Sequence, residues 1–62
     1  MDPLNVLRIL LIEDSPVQAS VFQRMLEDEE PAWQLDCADS LAAGLRFLDA
    51  NRYDLVRLDL DG

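Results

Sequence analysis

Three short apolar runs alternate with two stretches in which apolar residues return every three or four positions. The first run, residues 6–12, reads VLRILLI and stops abruptly at Glu13 and Asp14. A strand covered on both faces of a parallel sheet has this near-continuous apolar character. Ser15-Pro16 follows, a serine suited to capping a helix and a proline suited to its first turn. Val17, Val21 and Met25 then recur at intervals of four, flanked by Phe22 and Leu26, which predicts one apolar helix stripe. The stripe dissolves into Glu27-Asp28-Glu29-Glu30-Pro31. Acids there oppose the helix dipole and proline forbids continuation, so the helix is expected to end near Asp28.

Residues 33–38 alternate loosely, with Trp33, Leu35 and Cys37 on one side and Gln34 and Asp36 on the other. One polar face predicts a partly exposed strand at a sheet edge. Asp39-Ser40 opens a second helix whose predicted stripe is Leu41, Gly44, Leu45 and Leu48, closing at Asn51-Arg52. Gly44 costs about 1 kcal/mol of helix propensity relative to alanine, and a close approach to the sheet would offset this. Residues 53–59, YDLVRLD, are the third strand candidate. Strand, helix, strand, helix, strand with short connections implies an α/β fold, a parallel sheet with helices packed on it.

Charge narrows the function classes. Thirteen acids face five arginines, with no lysine or histidine, for a net charge of -8. This balance repels nucleic acid and anionic lipid and favours cations or a basic partner surface. No segment is long enough to span a bilayer, and the first five residues lack the features of a secretion signal, so a cytoplasmic setting is expected. Half of the residues are apolar, too many for a disordered acidic tail. A chain this short makes one domain at most. Cys37 is the single cysteine, which excludes an internal disulfide framework and fits a small apolar strand residue.

The candidate chemistry lies at the strand tips. Glu13 and Asp14 end the first strand and Asp59 ends the third. Ligands of open parallel sheets bind outside the carboxyl ends of the strands. If those two strands are neighbours, three carboxylates meet, and like charges so crowded call for protonation or a bridging cation. Oxygen ligands at such an edge suit magnesium. A carboxylate beside it could attack phosphorus to give an acyl phosphate. The simpler account makes Glu13 and Asp14 helix-entry acids and Asp59 a turn residue before Asp61-Gly62. A glycoside-cleaving carboxylate pair is less suited, because so short a chain scarcely walls a substrate cleft.

Three stretches carry a family resemblance: Ile9-Leu10-Leu11-Ile12-Glu13-Asp14-Ser15-Pro16, Ala38-Asp39-Ser40-Leu41-Ala42-Ala43-Gly44-Leu45 and Tyr53-Asp54-Leu55-Val56-Arg57-Leu58-Asp59-Leu60. In this order and spacing the chain resembles the receiver domain of bacterial two-component response regulators, with residues 1–62 corresponding to its N-terminal half. The resemblance implies a three-layer, truncated flavodoxin-like β-α-β-α-β fold with strand order 2-1-3. It implies that Asp59 is the phosphoacceptor and Asp14 a direct magnesium ligand. Glu13 would hold the metal through water, and Asp61 would offer it a backbone carbonyl. The implied phosphodonor is a phosphohistidine on a sensor histidine kinase or phosphotransfer protein.

The chain departs from that pattern in three places. The family's fourth and fifth strands are not represented, nor are its phosphate-contacting lysine and serine or threonine; the chain contains no lysine and no threonine. Arg57 stands at an apolar position of the third strand, where it must snorkel, pair with an acid such as Asp36, or disturb folding. After Leu60 the family's run of a hydrophobic residue, proline and acid before glycine does not appear; Asp61-Gly62 follows at once, so the loop is expected to be shortened or cut. These departures support an alternative reading, a non-enzymatic pseudo-receiver or interaction fragment. An uncovered third strand would invite self-association, and a homodimer through that edge is expected. Trp33 and Tyr53 read as core-edge aromatics, and Arg24, Arg46 and Arg52 as surface partners for the acids.

Overall fold

The apolar run at the N-terminal end is the centre strand of a three-stranded parallel sheet. The computed structural model describes residues 6–28 and 33–60. Its elements run β1 (Leu7–Glu13), α1 (Pro16–Glu27), β2 (Trp33–Ala38), α2 (Leu41–Ala50) and β3 (Leu55–Asp59). The strand order is β2-β1-β3, as the resemblance implied, and both pairings are parallel. β1 is buried on both faces, with Ile9, Leu10 and Leu11 almost inaccessible. This is why its sequence shows no alternation.

Both helices begin as the capping residues dictate. Ser15 Oγ accepts from the Gln18 N–H at 3.3 Å, and Ser40 Oγ accepts from the Ala43 N–H at 3.1 Å. Pro16 opens α1, and Asp28 caps its end. Asn51 caps α2 at its C-terminal end.

The faces presented to the sheet differ from the predicted stripes. In α2, Gly44 is buried and Ala43 and Phe47 pack on Leu10, Ile12 and Ala38. Leu41, Leu45 and Leu48 remain exposed. A Cβ on residue 44 would meet Ile12 Cδ1 and lie 2.8 Å from Cγ1. The helix therefore sits on its smallest residues because only they let its backbone come this close. In α1, Val17, Val21 and Met25 are exposed, while Ala19, Phe22 and Leu26 are half-buried. Val21 and Met25 look instead onto β3 across a small cleft shared with Arg57. Side chains alternate along β1, so Leu10 and Ile12 face α2 while Leu11 and Glu13 face α1. The helices thus cover opposite faces, giving three layers.

A polar cluster closes the α2 side. Tyr53 Oη donates to Asp36 Oδ2 at 2.6 Å, and the Arg8 guanidinium reaches the same oxygen at 3.4 Å. Arg8 also lies 5.0 Å from the Tyr53 ring centre. Burial, then the bond to Asp36, pushes the Tyr53 hydroxyl up to about 12. Asp36 is thus taken by Arg8 and Tyr53 and does not pair with Arg57, which lies across β1 on the other face. Arg57 is exposed and stacks over Phe22 at 5.2 Å. It keeps its contact with solvent, because β3 is exposed along its whole length.

Candidate functional site at the carboxyl edge of the sheet

The parallel register sets Glu13 directly opposite Asp59. Glu13 is the last residue of β1 and is only 7% exposed. Its Oε1 accepts from the Ser15 N–H at 3.1 Å, which turns the chain into α1. Asp59 ends β3 and Asp14 follows β1; both are exposed. Burial raises the Glu13 carboxyl above its ordinary value; the Ser15 N–H partly opposes this, and hydrogen bonding and repulsion from Asp59, then hydrogen bonding from Asp14, add to it. Three acids therefore meet at one sheet edge, with Glu13 between the other two. Asp61 lies outside the described residues.

Two clefts flank this edge. The larger, about 550 Å³, runs between the helix starts and is lined by Glu13, Asp14, Cys37, Asp39 and Phe47 among others. The smaller, about 110 Å³, lies under α1 and brings Glu13, Phe22, Arg57 and Asp59 together. Asp39 was read in the sequence only as part of a helix start. It follows the tip of β2, so it reaches the same edge as the other strand-tip acids, and that position was the signal. The Cys37 thiol is raised by partial burial and then by Asp36, which makes it a poor nucleophile.

Among the described residues no three acid, cysteine or histidine side chains converge tightly enough to form a metal cage. Magnesium does not need one. It keeps several waters and takes one or two carboxylates, so the donor set of Glu13, Asp59 and Asp14 fits it. Burial is the largest cause of the raised Glu13 carboxyl; Asp59 and Asp14 add to it, and that smaller part is what a cation would relieve.

That crowding has a measurable sign. A carboxyl whose folded value is raised favours folding when protonated and opposes it when ionised. In metal-free buffer Glu13→Gln is therefore expected to raise the melting temperature at neutral pH. The gain should shrink as pH falls through the raised Glu13 value toward the ordinary glutamate value. Thermal unfolding at several pH values checks this, and a variant destabilised at every pH would contradict it.

Comparison with protein-family models, with curated proteins and with solved structures finds no match to this chain.

Proposed function

We propose that the chain accepts a phosphoryl group on Asp59 in a two-component phosphorelay, with Glu13 and Asp14 holding magnesium beside it. The observation that supports this is the pairing of a buried Glu13 with Asp59 at the carboxyl edge of a parallel sheet, next to Asp14. One Asp59 oxygen attacks the phosphorus of a phosphohistidine on a sensor kinase or phosphotransfer protein. The P–O bond forms as the P–N bond breaks, and the departing nitrogen keeps the electron pair and takes up a proton. A bound magnesium ion would screen the charge on the phosphoryl oxygens. Glu13, opposite Asp59 in the register, is oriented by the Ser15 N–H. The open edge leaves Asp59 accessible to a donor.

A second reading, a non-enzymatic interaction module, is favoured by one feature: every residue of β3 is exposed. Incubation with phosphoramidate and magnesium separates the two. Intact-mass measurement is expected to show one added phosphate, lost in Asp59→Asn and labile at alkaline pH as an acyl phosphate is. No addition to folded wild-type chain would favour the interaction module. No helix among the described residues is long and apolar enough to cross a membrane.

A further inference from the structure

We infer that Arg57 binds the phosphoryl group carried by Asp59 and leaves the Phe22 ring to do so, an assignment that rests on Asp59 being the acceptor. Residues two apart on a strand share a face and stand about 6.7 Å apart. Arg57 and Asp59 are such a pair, and the register sets them opposite Leu11 and Glu13. Both line the small cleft under α1, together with Gln18, Val21, Phe22 and Met25 of that helix. Arg57 is the one cation among the described residues that line it. The attacking carboxylate and a guanidinium therefore occupy neighbouring positions on one face of one strand.

Before transfer the guanidinium carbon lies 5.2 Å from the centre of the Phe22 ring. A single contact of this kind is weak. Transfer changes what competes with it. The bond from an Asp59 oxygen to phosphorus forms as the donor's P–N bond breaks, and the nitrogen keeps the electron pair and takes up a proton. The acceptor position then carries roughly two negative charges in place of one, with three strong acceptor oxygens. An arginine fork matches two such oxygens at once, in a charge-assisted pair stronger than a contact with a ring face. The long, flexible stem lets the guanidinium turn along the strand while the backbone stays in register. Charge on those oxygens is already present in the transition state, so the same contact speeds transfer as well as holding the product.

Intact mass, followed through incubation of the full chain with phosphoramidate and saturating magnesium, reads the rate of uptake. Arg57→Met keeps an unbranched apolar stem against Phe22 and removes the charge. It is expected to take up phosphate about 10-fold more slowly, less than the loss of a preorganised donor because the guanidinium must first leave its ring. Arg57→Lys keeps the charge without the fork and should fall between the two. Phe22→Leu frees the guanidinium and should speed uptake about 2- to 5-fold, the ring contact converted to a rate. On the Arg57→Met background the same change should do nothing. A side chain that only packs would show neither the lysine recovery nor this dependence of one variant on the other. Circular dichroism checks that each variant is folded, and should Phe22→Leu unfold, the two Arg57 variants decide alone. Uptake on Asp59 at equal rates in wild type and Arg57→Met overturns the role of Arg57 and leaves the acceptor reading standing. No uptake by folded wild-type chain overturns both.

Discussion

Asp14→Asn is expected to slow phosphate incorporation at Asp59 by about 100-fold at a magnesium concentration that saturates the wild-type chain, in line with the loss of one charge-stabilising group from a phosphoryl or acyl-transfer site. Asp14 is exposed while Glu13 is buried, because consecutive residues at a strand end point in opposite directions. Of these two acids, Asp14 is the one whose carboxylate can turn freely toward a hydrated cation. Asparagine keeps the shape and an acceptor oxygen but removes the charge. The loss should fall on magnesium affinity, so raising magnesium should recover part of the rate.

Asp59→Asn behaves differently, since no magnesium concentration can restore a missing nucleophile. A time course by intact mass across a magnesium series separates the two variants. Equal, magnesium-independent incorporation in wild type and Asp14→Asn would remove Asp14 from the site.

The two kinds of feature in this site differed in how well the sequence announced them. The strand tips were legible because β1 is apolar until it stops, and the stop is acidic. That Glu13 and Asp59 are neighbours followed only from a strand order of 2-1-3, which local pattern does not encode. It rested on the family resemblance. The helix starts were legible because Ser15-Pro16 and Ser40 act through bonds three residues away. The helix faces were not. Periodicity locates a stripe but weighs leucine above glycine, whereas the sheet selected the side that could approach closest. Ala43, Gly44 and Phe47 therefore went inward, and Leu41, Leu45 and Leu48 stayed out. The Arg8–Asp36–Tyr53 cluster joins residues far apart in sequence through the β1–β2 register, so no local signal could show it. Arg57 looked costly while β3 was imagined inside a sheet. In the fold β3 is exposed, and the Arg57 guanidinium lies over the Phe22 ring.

Leu10→Ala is expected to unfold much of the population, because this chain concentrates its stability in one strand. Leu10 is 0% exposed and packs with Ile12 and Ala38 against Phe47 and Tyr53. Truncating a leucine so placed costs about 2–5 kcal/mol. Marginal stability of roughly 0.05–0.15 kcal/mol per residue gives a chain of this size only about 3–9 kcal/mol in total. Little can relax into the space, since β1 is hydrogen-bonded on both sides and Gly44 already brings α2 against Ile12.

Leu45→Ala is the control. Leu45 sits on the same helix face region predicted for the core but is exposed, and such a change should stay within about 0.5 kcal/mol. Urea unfolding followed by circular dichroism, at a fixed low protein concentration so that association does not contribute, measures both. A Leu45→Ala loss equal to that of Leu10→Ala would mean that α2 turns its leucines inward after all. The close seat of Gly44 on Ile12, and with it the placement of Glu13 at the end of β1, would then need revision.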